Sequence, residues 1–458
     1  MKTKKSAQLA SPTSIVPQLA EMISKLAPGK SFSNWANIPE IQQAYEQLAT
    51  EFVKNIHKLP KPTGKGRGIV IPGGGSKYFP SMWVGINRIR HVGCKLPIEI
   101  WYLGEAEMDL AMQRILAPFN VTFRDALELR KKNPMRILNG WELKPYAIAN
   151  SAFDEVMFID ADCSPTRNPE YLFDMEPYQK TGCIFWPDYP HWMLQREPYD
   201  VFGAPLPRNM KSPGDDFQMF GLPVDQNAGW DLPVESGQML INKLKCWEPL
   251  NLATFFCSHS DYYFRFVHGD KECFHLAWRR LGRNYGMPMT WPNWDLHTAL
   301  QYDFKGEIIF VHRNNDKWKL SGNVLGSGRI PFERECLTLV NELGKLWSGR
   351  VWENVMPTEE EAADMAALTN KMFFYHRVKH DARLIEFLPK NVIGKGAAEH
   401  EGSWSIFRVN GKQRLALVGK TGPTAFLTPA KDGIWEGRWL TNEQMLVQLI
   451  PVEPSESL

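Results

Sequence analysis

The sequence predicts an α/β protein in which short buried strands alternate with helix-length segments, followed by an all-β stretch. Apolar runs at 68–72, 98–103, 121–123, 156–159, 183–186, 239–241 and 308–311 read as strands, most of them set off by turn or polar residues. Segments 81–92, 105–116, 141–151 and 271–281 between them have the length and spacing of helices. Past residue 400 the pattern turns to strands alone. The alternation is that of an α/β domain, and wholly apolar strands suit a sheet covered on both faces.

Each part of the chain supports this division. Residues 1–31 mix Ser, Pro and Lys around one short apolar stretch and are expected to form a loosely docked start. Ile38, Ile41, Tyr45, Leu48, Phe52 and Ile56 then recur at steps of three and four, with Asn37 placed to cap and Pro39 suited to the first turn of an amphipathic helix. Pro and Gly break the pattern over 58–67, so a domain is expected to begin near residue 64. The stretch 187–233 is rich in Pro, Gly, Asp and aromatics and reads as a functional loop over a site. Thr358-Glu359-Glu360-Glu361 has the form of a capping box, opening a helix expected to reach about residue 377. Beyond it, 404–409, the Asn410-Gly411 turn and 414–418 form a hairpin. The expected domains are a helical segment 1–63, an α/β domain 64–350, a helical linker 351–400 and a small β module 401–458.

Composition narrows the function. The net charge of +2, with 23% charged and 43% hydrophobic residues, describes a globular chain and argues against nucleic-acid binding by bulk electrostatics. No apolar run is long enough for a membrane helix, and the start, Met-Lys-Thr-Lys-Lys, leads into polar residues, so a cytoplasmic protein is expected. Seven scattered cysteines without a C-x-x-C pair argue against a disulfide framework or a structural zinc site and predict buried thiols. The 17 tryptophans suit ring-shaped ligands such as sugars as well as core packing.

The most informative stretch is F-D-E-V-M-F-I-D-A-D, where a buried strand ends in Asp160 and Asp162. Strand periodicity turns both carboxylates to one side, and Mg²⁺ or Mn²⁺ prefers such oxygen ligands while leaving positions open for phosphates. A D-x-D pair arises readily by chance, so its weight comes from its place at the carboxyl end of a strand, where α/β sheets bind ligands. His312 follows the strand 308–311 and could complete a metal shell; Lys317 could neutralise a phosphate, Trp318 could exclude water, and Arg313 competes as a phosphate ligand. The bland reading of this stretch is a surface loop with a capping His. Glu235, in P-V-E-S-G-Q-M-L-I-N, either faces a reacting sugar or is a helix cap or turn acid, and Asp270 has a straightforward role as helix N-cap. Gly73, Gly74 and Gly75 follow Pro72 but lack the spacing of an ATPase phosphate loop or of a nicotinamide-binding fingerprint. Their remaining use is to let a nucleotide lie against the strand end.

Together these stretches resemble the fungal α-mannosyltransferases of glycosyltransferase family 71 over roughly residues 66–320. The resemblance rests on G-I-V-I-P-G-G-G with K-Y-F, G-C-K-L-P-I-E-I-W-Y-L-G, K-P-Y-A-I, F-D-E-V-M-F-I-D-A-D, E-S-G-Q-M-L-I-N and G-D-K-E. Their order is also similar to that of glycogenin-type retaining transferases. The resemblance implies a GT-A fold, a Rossmann-like domain binding a nucleotide sugar, with Asp160, Asp162 and His312 around Mn²⁺ (or Mg²⁺). It implies a nucleotide-binding surface including Pro72, Gly73, Gly74, Lys144, Asp160 and Lys317, with Glu235 and Asp270 on the sugar-facing side. The implied activity is retaining transfer of a hexose, mannose first, from GDP-mannose or a UDP-hexose to a glycan or other hydroxyl acceptor. A glycoside hydrolase and a non-catalytic carbohydrate-binding protein are the alternatives. The fungal members carry an N-terminal membrane helix that is not seen here, so a soluble enzyme is expected. Trp404, Trp435 and Trp439 of the β tail lie outside the resemblance and read as a small core in preference to a carbohydrate-binding surface.

Overall fold

A computed structural model describes residues 39–188 and 234–452, apart from the single positions 297, 331, 421 and 441. The loosely docked start, Asn37 as a cap, and nearly all of the loop 187–233 lie outside the described residues. Helix α1 (Pro39–Asn55) turns Ile41, Tyr45 and Ala49 inward, and the Tyr45 ring stacks on Tyr262 at 3.8 Å between centroids. The helix is therefore built into the core of the following domain.

That domain is laid on a mixed six-stranded sheet. Its strands are β1 (Arg67–Pro72), β2 (Ile98–Tyr102), β3 (Val121–Asp125), β4 (Glu155–Ile159), β6 (Cys183–Pro187) and β7 (Val234–Asn242), in the order β3-β2-β1-β4-β7-β6. The pairs β1–β2, β2–β3 and β1–β4 are parallel, whereas β7 runs antiparallel to both β4 and β6. Strands β1, β2, β4 and β6 are buried almost throughout, as apolar runs on a sheet covered on both faces require. Helices α2 (Gly75–His91), α3 (Leu110–Leu116), α4 (Leu143–Asn150), α5 (Lys243–Ser258) and α6 (Asp270–Arg280) make up the layers around it. A second, antiparallel sheet joins β5 (Cys163–Pro165), β10 (Ile308–His312), β9 (Thr298–Tyr302) and β8 (Asn293–Asp295) in that order. The chain passes from β4 to β5 through residues 160–162 alone, so the two sheets meet at the Asp-Ala-Asp turn.

Helix α7 (Glu333–Leu346) packs on α2, and α8 (Glu359–Leu368) follows. The capping box at Thr358 and Glu361 is present, but the helix stops at Leu368 instead of near residue 377. Thr369 is extended and Asn370 has a φ of 61°, a left-handed residue that ends the helix. Residues Met372–Arg377 then form a strand with Phe373 and Tyr375 turned inward. The expected helical linker 351–400 thus already holds the first strands of a closed barrel, β11 (Met372–Arg377), β12 (Asp381–Leu388), β13 (Val392–Ile393), β14 (Ser403–Val409), β15 (Lys412–Gly419), β16 (Gly422–Pro429), β17 (Trp435–Trp439) and β18 (Asn442–Pro451). The Asn410-Gly411 turn joins β14 to β15, both residues at positive φ as such a hairpin demands. Trp404, Trp435 and Trp439 belong to the barrel's buried core, with Trp404 stacked on Phe387 at 4.4 Å.

The barrel is fused to the α/β domain by apolar packing and charge. Phe407, Ala416, Val418 and Phe426 join the larger core, and the Trp352 ring meets Phe407 and Phe426 at 4.8 and 4.5 Å. Arg414 pairs with Glu105. Glu361, with no exposed surface, accepts from both terminal nitrogens of Arg114, from Asn354 and from the backbone N–H of Arg408 and Thr358. All seven cysteines are free and buried. Among the described residues no helix is long and apolar enough to cross a membrane.

Burial works against the Glu361 carboxylate, but the hydrogen bonds from Arg114, Arg408, Thr358 and Asn354 outweigh it and hold the group at about 2, below its ordinary 4.5. Glu361→Ala is expected to lower stability by about 3 kcal/mol, read as a lower urea midpoint. The contribution is complete above pH 4.5 and is lost as pH falls toward 2, so the gap between variant and wild type should close over that acid window.

Candidate active site

Two strand registers build the site. On one side β4 pairs with β7 so that Ile159 lies opposite Gln238, and the Asp160 N–H donates to Gly237 O at 2.8 Å. This sets Glu235, Ser236 and Gly237 beside the first aspartate. On the other side β10 pairs with β5 so that His312 lies opposite Cys163, and the Arg313 N–H donates to Asp162 O at 2.9 Å. The second aspartate thereby meets the imidazole. The two acids flank a turn closed by a bond from Cys163 N–H to Asp160 O at 3.0 Å, so their convergence comes from this turn and not from one continuing strand.

The side chains form a continuous charged cluster. His312 Nε2 lies 3.2 Å from Asp162 Oδ1 and 4.0 Å from Asp160 Oδ2, and one ligand atom from each of the three residues falls within 4.8 Å of the others. Glu235 Oε1 lies 3.4 Å from His312 Nδ1 and accepts from Gly237 N–H at 2.8 Å. Lys317 Nζ is 2.6 Å from Asp162 Oδ2, and Lys144 Nζ is 2.8 Å from Asp160 Oδ2 and 3.3 Å from Asp270 Oδ2. Ser236 Oγ links the last two groups, donating to Asp270 at 2.7 Å and accepting from Lys144 at 3.1 Å.

The positions expected from the sequence thus come together, with altered roles for some. Asp270 is the first residue of α6, after the N-cap Gly269, and its side chain, 6% exposed, faces Ser236 and Lys144. Lys144, expected to touch the nucleotide, sits buried between two acids of the cluster. Arg313 is withdrawn from ligand binding, paired with Glu333 at 2.8 Å and Asp316 at 2.9 Å and lying over the buried Trp318 ring. Gly73 and Gly74 follow β1, where packing accounts for their small size. A Cβ on Gly73 would come within 3.1 Å of both Met82 Sδ and the Ala161 methyl, and one on Gly74 within 2.8 Å of Glu107. Gly73 thus allows the Asp-Ala-Asp turn to close on the end of β1, beside Pro72. Ser236 and Gly237, which stand with Glu235 in the E-S-G stretch, are members of the site as well. A Cβ on Gly237 would lie 2.5 Å from His312 Nδ1, so only glycine leaves room for the ring.

Charge pairing decides the ionisation of the cluster. Burial raises Asp160 and Lys144 only partly offsets it, with Asp162 adding to the rise, leaving this carboxyl at about 6. Burial acts on Asp162 in the same sense, but His312 and Lys317 overcome it and hold the group well below the usual carboxylate range. Glu235 is held at about 2 against its burial, chiefly by His312. Burial disfavours a charged His312, yet Asp162 and Glu235 drive its pKa well above 6.5. Beside Lys317 opens a groove of about 650 Å³, lined by Ser76, Lys77, Asn314, Trp318 and Ser348 among others, a size suited to a small-molecule ligand.

Comparison with known proteins accords with this geometry. Residues 66–291 match the family described as "Mannosyltransferase putative". That segment is similar to this mannosyltransferase family along its whole length. The matched segment holds the six-stranded sheet and the acidic turn at the end of β4, and His312 enters from the second sheet just beyond it. The chain is 32% identical over 291 residues to the alpha-1,2-mannosyltransferase MNN21 of Candida albicans, covering 54% of this chain and 43% of that protein. It is 29% identical over 260 residues to the alpha-1,2-mannosyltransferase MNN2 of Saccharomyces cerevisiae, covering 50% and 42%. The chain therefore spans less than half the length of these relatives. Among solved structures, the glycosyltransferase GlyE of Streptococcus pneumoniae aligns over 62% of this chain and 64% of its own with 12% identity and a TM-score of 0.35.

Gly237→Ala is expected to displace the His312 ring and weaken divalent-cation binding by about 10- to 100-fold, measured by isothermal titration calorimetry. A circular dichroism spectrum matching the wild type would separate this effect from unfolding.

Proposed function

We propose that this protein transfers a mannosyl group from a nucleotide-activated mannose, GDP-mannose first, to a hydroxyl of a glycan acceptor, with retention at the anomeric carbon. The observation that carries the reading is the convergence of Asp160, Asp162 and His312 with Lys317 at the edge of a groove, in a chain whose residues 66–291 are similar to a mannosyltransferase family.

The residues present fit a divalent cation. Two carboxylates and an imidazole are an acceptable donor set for Mn²⁺ or Mg²⁺. Four carboxylates, Asp160, Asp162, Glu235 and Asp270, share the cluster with two lysines, Lys144 and Lys317, so with His312 neutral, as a metal ligand must be, the acidic excess would match one dication. When bound, such an ion stabilises negative charge on the departing diphosphate. Lys317 reaches from Asp162 to the groove and supplies a positive charge to phosphate, as a point charge on a flexible stem does well. Lys144 fixes Asp160 and Asp270, and Ser236 keeps the two acids at a set spacing. Glu235 and Asp270, each anchored by protein contacts, accept hydrogen bonds from hydroxyls of the donor sugar. The bond from the anomeric carbon to phosphate oxygen breaks, the acceptor oxygen bonds on the same face, and the acceptor's proton passes to the departing phosphate oxygen. No strong base is needed.

Asp162→Ala is expected to lower Mn²⁺-dependent release of GDP from GDP-mannose by about 100-fold or more with the fold retained. Chelation with EDTA should abolish the wild-type rate and added Mn²⁺ restore it. Near-normal turnover by the variant would overturn the reading, and the same assay run on UDP-hexoses fixes the donor.

A further inference from the structure

Among the described residues Trp141 is the one tryptophan that lies exposed, with 50% of its surface open. Leaving half an indole in water forgoes a large burial gain that the other described tryptophans collect in full or in part. Single exposed apolar residues are ordinary, so the argument rests on where this one stands. Trp141 occupies the turn that leads into α4, and its carbonyl accepts from the N–H of Lys144, whose ammonium holds Asp160 and Asp270. Its six-membered ring lies against Gly269, where a Cβ would come within 3.0 Å of Cε3 and 3.1 Å of Cζ3. Gly269 immediately precedes Asp270, so the indole stands one residue from a carboxylate of the cluster. Phe264, with its ring centroid at 6.1 Å, and His268, at 6.3 Å, flank it. A ring backed by main chain and braced at its sides is a rigid platform with little entropy left to lose on binding. In the same first turn of α6, Glu272 Oε2 is buried with no hydrogen-bond partner among the described residues. It is an acceptor lacking a donor, such as a hydroxyl would provide.

Resting on the transferase reading above, we propose that Trp141 is the stacking platform for a hexose of the acceptor glycan, and thereby a specificity-determining residue of this enzyme. A pyranose offers one apolar C–H face and a rim of hydroxyls. The indole takes the face, and the Glu272 carboxylate beyond Gly269 takes the rim. The platform selects for a ring-shaped acceptor over a linear alcohol or a serine hydroxyl.

Two measurements on the full chain test this separately from donor turnover. In the first, the indole N–H resonance of Trp141, assigned through Trp141→Phe, is followed while α-1,2-mannobiose is added without donor. A saturable shift is expected. In the second, with GDP-mannose and Mn²⁺ supplied, Trp141→Ala is expected to raise the KM for mannobiose by about tenfold, with most of the loss restored in Trp141→Phe. Binding of GDP with Mn²⁺, read by calorimetry, checks that the donor side is intact. The inference is overturned if mannobiose fails to bind, if it binds without moving that resonance, or if KM is the same in the alanine variant. A shift in the resonance from a protein that never consumes any nucleotide sugar would uphold the platform and remove the transferase reading instead.

Discussion

Pairing of β10 with β5 places His312 opposite Cys163, and the chemistry of the molecule depends on that register. A slip of one residue would turn the imidazole to the other face of the second sheet and present a neighbour in its place. The register is held by more than its own ladder. Arg313, the next residue, is clamped by Glu333 and Asp316 and lies over Trp318, so the strand end cannot slide without dragging a buried guanidinium from its partners. Across the turn, the β4–β7 ladder fixes Gly237 against Asp160 in the same way. The acids therefore sit where two independently fixed sheets meet, and their spacing follows from both.

Such a concentration of charge inside a protein is unfavourable unless each group finds a partner. Here the lysines reach inward from different elements, Lys144 from α4 and Lys317 from the stretch after β10, and each binds a different aspartate. Asp160 is the least well compensated, since its lysine is shared with Asp270 and its neighbour two residues on is itself anionic. The arrangement tolerates the apoprotein yet leaves an unmet demand for positive charge at the point where the two sheets join. Glycine at 73 and 237 is the steric counterpart, removing side chains that would hold the turn or the imidazole away.

Much of this was legible in the sequence because it is local. The apolar strands, the acids after 156–159 and the His after 308–311 are adjacent in the chain, and strand period alone assigns them to strand ends. What escaped is what depends on contacts between distant segments. Asp270 opens a helix and by position alone looks like a cap; the family resemblance put it at the site, but its partner Ser236 emerges only from the packing of α6 against β7. Arg313 resembles a phosphate ligand until Glu333, twenty residues on, is seen to claim it. The capping box at Thr358 marks where the helix begins but not where it ends, and M-F-F-Y-H-R has no strong breaker within it. The stop lies just before it, at Asn370, and closure of the barrel supplies the partners that make the segment a strand.

The barrel's first and last strands, β11 and β18, lie side by side. Its polypeptide consequently enters and departs at neighbouring points, a geometry that lets a unit be inserted into or lost from a host chain with little disturbance to the host. Closure leaves no unpaired rim for other chains to extend. The face bearing Phe407, Ala416, Val418 and Phe426 is a different matter, because it is complete only against the α/β domain. Shuffled into another lineage, this unit would bring its own oily footprint and demand a matching surface. Its evolutionary mobility is restricted to hosts able to cover it.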